Sequence, residues 1–162
     1  MKTREEVFGL LSWLLLAFAA ETIGAIASIE ARAFYGSLRQ PAWAPPGWVF
    51  GPVWTTLYML MGIASWLVWR EREHGGRQTA LALYVVQLAV NTLWSWLFFA
   101  WHLGAAAFAD IILLLALLVA TIALFRRVRP LAAALLLPYL CWVVFATALC
   151  GAVWRMNPVA LG

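Results

Sequence analysis

Five separate stretches of this chain are apolar for long enough to cross a lipid bilayer, and no other feature narrows the fold as far. A spanning helix needs about 20 mostly apolar residues, each advancing about 1.5 Å along the axis. The stretches cover residues 7–29, 46–69, 79–101, 104–125 and 131–153. In hydrocarbon every backbone N–H and C=O must find its partner within the protein, so each stretch is predicted to be a helix. The predicted fold class is all-α, an integral membrane bundle of five transmembrane helices forming one domain over residues 1–162. Short connections make sequential helices antiparallel neighbours. The longest connection is 30–45. The chain is 65% hydrophobic and only 11% charged, with mean hydropathy +0.88. So few charges cannot cover a water-exposed surface. That excludes a nucleic-acid module, a disordered chain and a disulfide scaffold.

The charges that remain report topology. With five spans, one side carries Lys2, Arg4, Arg70, Arg72, Arg77, Arg126, Arg127 and Arg129, and the other carries Arg32, Arg39 and Arg155. For a bacterial inner membrane, the positive-inside rule places the N-terminus in the cytoplasm and the 30–45 loop outside. Lys2 and Arg4 before an apolar stretch imitate a signal peptide. That stretch continues past Glu21 to Ile29, too long for a signal core and suited to a span.

Eleven tryptophans exceed the number that interfacial anchoring needs. Trp13, Trp69 and Trp101 fall near span ends, where an aromatic belt accounts for them. Trp54, Trp94 and Trp142 fall deeper, where an indole N–H needs a partner and the ring faces protein or a ligand. Trp54 and Tyr58 share a helical face. Gln87, Asn91, Trp94 and Phe98 share another, and amides at that depth must point into the bundle, as interhelical bonds or as ligand contacts. Pro138, Trp142 and Ala146 line up one turn apart. The small Ala146 beside Trp142 leaves room for a flat ligand or for a close helix crossing. Pro52 is expected to bend the second span. Glu21 and Asp110 are the only carboxylates inside spans, and intramembrane ionisable groups are functional candidates. No His/Cys cluster indicates a metal, and no catalytic triad or phosphate loop occurs.

Four blocks carry a family resemblance: residues 34–50 (FYGSLRQPAWAPPGWVF), 53–62 (VWTTLYMLMG), 87–95 (QLAVNTLWS) and 138–149 (PYLCWVVFATAL). In this order, on five spans, they resemble the translocator protein / tryptophan-rich sensory protein family, also known as TspO or the peripheral benzodiazepine receptor. The resemblance implies a five-helix bundle, often a homodimer, that binds porphyrins such as protoporphyrin IX. Sterols and isoquinoline or benzodiazepine-type molecules are the other implied ligands. No cofactor is required; a porphyrin is ligand or substrate. The family's pocket positions match Trp54, Asn91, Trp142 and Ala146. Tyr35 matches the first-loop Tyr tied to light-dependent porphyrin breakdown, with Trp142 as its photochemical partner. Two departures stand out. Cys150 replaces the family's usual Asn, and Trp154 stands where the animal sterol pattern has a Tyr before its basic residue.

Helix rise tests the convergence independently. Trp54 lies about 12 Å, Asn91 about 15 Å, and Trp142 and Ala146 about 16 and 10 Å, from helix ends on the side of the 30–45 loop. Residues from three helices thus meet at one depth, with Tyr58, Gln87 and Trp94 adding to the expected binding wall. The 30–45 loop is expected to act as a lid, stiffened by Pro41, Pro45 and Pro46 and weighted by Trp43. The expected function is binding of a flat tetrapyrrole for sensing, transport or light-dependent breakdown. The alternative is a small proton-coupled exporter of aromatic cations using Glu21. A third reading is an interaction protein, with Ala20, Gly24 and Ser28 letting helices approach.

Overall fold

A computed structural model describes residues 2–162, with side chains from Arg4 onward; the Lys2 side chain counted above lies outside them. Its helices are α1 (Lys2–Ala27), α2 (Ala31–Ser37), α3 (Phe50–Arg70), α4 (Arg77–Ser95), α5 (Gly104–Val128), α6 (Pro130–Leu135) and α7 (Leu137–Met156). Five helical stretches are long and apolar enough to cross a membrane: Arg4–Ala27, Gly47–Arg70, Arg77–Ala100, Gly104–Val128 and Pro130–Met156. The protein is therefore an all-α, multi-pass integral membrane protein. Around the bundle, α1 packs between α3 and α4, α4 packs on α5, and α5 packs on α7. The ring closes where α6 packs against α3. That closure is at the end away from α2, so α3 and α7 stand apart beneath α2.

Small residues set the closest approaches. A methyl group on Gly62 would lie 2.8 Å from Leu14 Cδ2 and 3.1 Å from its Cα, so α1 and α3 touch backbone to backbone there. Large aromatic and aliphatic side chains fill the rest of the core, with Met61, Tyr84, Leu114, Leu118, Phe125 and Tyr139 fully buried. The outward faces of α1 and α5 carry exposed apolar side chains, Phe8, Leu15 and Leu113 among them. In lipid such faces are ordinary rather than a liability.

Three spans depart from plain helices, each for a local reason. The 3₁₀ turn Gly47–Val49 precedes α3, so Pro52 falls in the first turn of α3. Its missing N–H would have had no intrahelical acceptor there, and the bend expected from Pro52 is not required. The fifth span breaks at Leu136 into α6 and α7, because Pro138 lacks the N–H that would bond Ala134 and its ring crowds that carbonyl. The third span ends in a π turn, Trp96–Ala100, closed by the Trp101 N–H donating to the Trp96 carbonyl at 2.8 Å. The connection 30–45 is also partly ordered into α2.

Outside the spans, the end of the bundle away from α2 is tied by Arg70–Glu6 (3.3 Å), Arg72–Glu5 (3.0 Å) and Arg129–Glu71 (3.2 Å). These pairs are solvent-exposed, and each contributes at most about 1 kcal/mol. At the other end the 30–45 segment is held down. The Asn157 side chain accepts from the Arg39 N–H and donates to the Arg39 carbonyl, both at 2.8 Å. The Phe34 ring stacks on His102 at 3.9 Å, and His102 itself takes a left-handed φ of 55°.

Candidate ligand cavity

Where α3 and α7 part, a half-open cavity of about 350 Å³ lies beneath α2, within the usual size range of small-molecule sites. Trp54 and Tyr58 reach it from α3, Asn91, Trp94 and Ser95 from α4, and Trp142 and Ala146 from α7. Glu21, Gly24 and Ala25 of α1, with Ser28 just past its end, complete one side. Ala31, Arg32 and Tyr35 of α2 roof it with Gly47 and Phe50. The aromatic wall is continuous. Trp54 meets Trp142 at 6.4 Å between ring centroids and Tyr58 at 5.7 Å; Phe50 meets Trp142 at 5.8 Å and Tyr35 at 5.5 Å. The Trp54 and Trp142 planes are 86° apart. They form a corner, in which a planar group stacked on one ring would meet the edge of the other.

Polar groups on this wall divide into two sets. One is internally paired: Asn91 Nδ2 donates to Tyr58 Oη at 2.8 Å, and Thr55 Oγ1 donates to Glu21 Oε1 at 2.7 Å. The other has no partner among the described residues: the Tyr35 hydroxyl and the Trp142 indole N–H are buried and unbonded, whereas the buried Trp94 indole N–H is directed at the Cys150 thiol, off the wall. A buried donor left unpaired costs about 1–3 kcal/mol, so two beside one cavity suit a ligand that accepts hydrogen bonds. Burial raises the Tyr35 pKa above its ordinary value, so the residue is a neutral phenol at neutral pH.

The structure brings together Trp54, Tyr58, Asn91, Trp94, Trp142, Ala146 and Tyr35, and adds Glu21 to the same wall. Gln87 is not on the wall. It lies one turn further into the bundle, fully buried, where its Oε1 accepts from the Tyr139 hydroxyl at 3.0 Å. Asp110 is also off the wall, buried on α5. Pro41, Trp43, Pro45 and Pro46 do not line the cavity either; Trp43 packs on Phe145 at 5.8 Å with half its surface exposed. The roof comes instead from α2, the part of 30–45 read as loop. Ala20 and Gly24 share an α1 face and Ser28 follows just past its end, but two of the three, Gly24 and Ser28, border the cavity. Phe99 reaches the wall and Phe98 does not, because the π turn inserts one residue and rotates the following side chains past the i+4 register. No cluster of three or more His, Cys, Asp or Glu side chains that could hold a metal occurs among the described residues.

The roof can be tested apart from the walls. Addition of protoporphyrin IX is expected to slow amide exchange across 31–38, and Asn157→Ala is expected to speed exchange at Arg39 and blunt that protection. Hydrogen exchange by mass spectrometry on wild type and variant, each with and without porphyrin, checks both. Identical exchange in all four samples would show that the segment is not a lid.

Comparison with known proteins supports the resemblance over most of the chain. Residues 13–155 match the profile of the TspO/MBR family. The human translocator protein is 44% identical over 130 residues, covering 79% of this chain and 77% of its own length. Protein CrtK of Rhodobacter capsulatus is 42% identical over 127 residues, 78% of this chain and 79% of its own. The tryptophan-rich sensory protein of Cereibacter sphaeroides is 37% identical over 147 residues, 91% of this chain and 90% of its own. With the matched region reaching from α1 through α7 and enclosing every residue of the cavity wall, the chain belongs to the TspO/MBR family.

Proposed function

We propose that the protein binds a flat hydrophobic tetrapyrrole of the protoporphyrin IX type in this cavity, for sensing, transport or light-dependent breakdown. The observation that carries the reading is the pair of unpaired buried donors, Tyr35 and Trp142, on a wall rich in aromatic rings. A tetrapyrrole offers a large apolar face to the indoles and acceptor atoms to the donors. Light absorbed by the bound ring would allow an electron to pass from Trp142, or an electron together with the phenolic proton from Tyr35, to the excited porphyrin, which is reduced as the side chain is oxidised to a radical. Breakdown of the ring would then take dioxygen as the oxidant and would require no catalytic triad. Sterols and isoquinoline or benzodiazepine-type molecules suit the same apolar walls. The homodimer implied by the family resemblance, and a cytoplasmic N-terminus supported by the eight-to-three split of basic residues, belong to the same proposal.

A second reading is favoured by one observation: Glu21, a carboxyl group within a span, is among the residues that line the cavity. A proton-coupled exporter of aromatic cations would use that carboxylate. One titration separates the two. Protoporphyrin IX added in the dark to protein in lipid nanodiscs should quench tryptophan emission saturably. The Trp54→Phe, Trp142→Phe double variant should lose most of that quenching, and Glu21→Gln should keep it. Quenching that never saturates, or that the double variant leaves unchanged, would remove the porphyrin pocket. Loss of proton-linked cation export in Glu21→Gln vesicles would favour the exporter.

A further inference from the structure

The cavity wall is electrically asymmetric. Arg32 is the only cationic side chain among its lining residues, and it belongs to α2, at the roof. Glu21 is the only anionic one, and it belongs to α1, six residues before that helix ends at Ala27. At about 1.5 Å per residue that sets Glu21 about 9 Å below the outer end of α1. Arg32 enters none of the ion pairs formed among the described residues. Glu21 is engaged by the Thr55 hydroxyl. Between the two lie only aromatic rings, small residues and uncharged polar groups.

A ligand with an apolar body and carboxylate arms meets this wall in one favourable orientation. Carboxylates near Glu21 would crowd a second carboxyl group with no cationic partner on the wall, whereas carboxylates at the roof meet a guanidinium that offers forked N–H donors and stays charged. Arg32 is itself solvent-exposed, so a charged edge held there keeps part of its hydration. We propose that Arg32 is the carboxylate-recognition residue of this cavity. It selects amphipathic, acid-bearing ligands over their neutral analogues and orients them with the acidic edge outward under α2. This rests on the tetrapyrrole reading of the cavity and adds to it a specificity rule: free dicarboxylic porphyrins are taken in preference to their esters.

Arg32 is a solvent-exposed residue of a short helix, so its replacement leaves the packed walls in place. The test compares protoporphyrin IX with its dimethyl ester, titrated in the dark into wild type, Arg32→Gln and Arg32→Lys in neutral-lipid nanodiscs. Tryptophan quenching is the readout, and empty nanodiscs correct for partition into lipid. Wild type is expected to bind the free acid about fivefold more tightly than the ester, the scale of one charge-assisted contact at a half-solvated mouth. Arg32→Gln should lose that preference by weakening the acid alone, and Arg32→Lys should retain part of it because it keeps charge without the fork. Equal affinity of wild type for acid and ester, with both saturable, would overturn the role of Arg32 and leave the porphyrin reading standing. A preference that survives in Arg32→Gln would place carboxylate recognition elsewhere and overturn it as well. If neither form binds saturably to wild type, the porphyrin reading itself fails, and the role of Arg32 falls with it.

Discussion

Ala146→Phe is expected to abolish porphyrin binding while leaving the bundle folded. Ala146 lies on the cavity wall one turn from Trp142, where it borders the space that the ligand would take. A benzyl group there projects into a volume of only about 350 Å³. Because it enters a void and not a packed core, the cost of overpacking is small. The expected loss is at least about thirtyfold in affinity, equivalent to about 2 kcal/mol. Dark titration of wild type and variant checks it, with thermal unfolding of both run in parallel. Unchanged affinity with an unchanged melting temperature would move the ligand out of this cavity.

The second large effect separates binding from photochemistry. Tyr35 and Trp142 both reach the cavity, both carry an unpaired buried donor, and both are joined to Phe50 by edge-on ring contacts. Tyr35→Phe keeps the ring and removes only the hydroxyl. Dark affinity should fall by less than about 1 kcal/mol, the usual net value of one hydrogen bond. The rate of illuminated porphyrin loss should fall about tenfold, equivalent to about 1.4 kcal/mol of barrier. Trp142→Phe should impair both, since its indole is proposed as platform and electron donor. The measurement is dark affinity beside the initial rate of absorbance loss in air, with all three proteins at equal occupancy. Proportional losses in Tyr35→Phe would reduce that residue to a contact. Equal rates in all three would assign the light chemistry to the porphyrin alone.

Much of the architecture is legible in the chain because lipid imposes so simple a rule. Spans 104–125 and 79–101 are visible as apolar runs, and their helices extend them by only a few polar or basic residues. Convergence of Trp54, Asn91, Trp142 and Ala146 at one depth follows from helix rise alone, and the structure places all four on one wall. What the residues do not announce is departure from regular helix. The π turn at Trp96–Ala100 exchanges Phe98 for Phe99 at the wall, and 3.6-residue periodicity carries no signal of it. The roof is similar. The prolines and Trp43 draw attention to 41–46, yet the roof is built from Ala31, Arg32 and Tyr35, whose short helix has neither a capping side chain nor an apolar repeat long enough to read. Gln87 shares a helical face with Asn91, but Tyr139 takes up its carbonyl oxygen within the bundle. Face alone cannot distinguish a ligand contact from an interhelical bond one turn deeper. The Asn157 clasp joins residues 118 positions apart and has no local signature at all.

The most direct test is a structure determined in the dark with protoporphyrin IX bound. The account predicts the ring inside the cavity, stacked on one of Trp54 and Trp142 and edge-on to the other. Its carboxylates should lie at Arg32, and at least one of the Tyr35 and Trp142 donors should be newly bonded to it. A porphyrin seated on the lipid-facing surface, with the cavity beneath α2 unfilled, would contradict it.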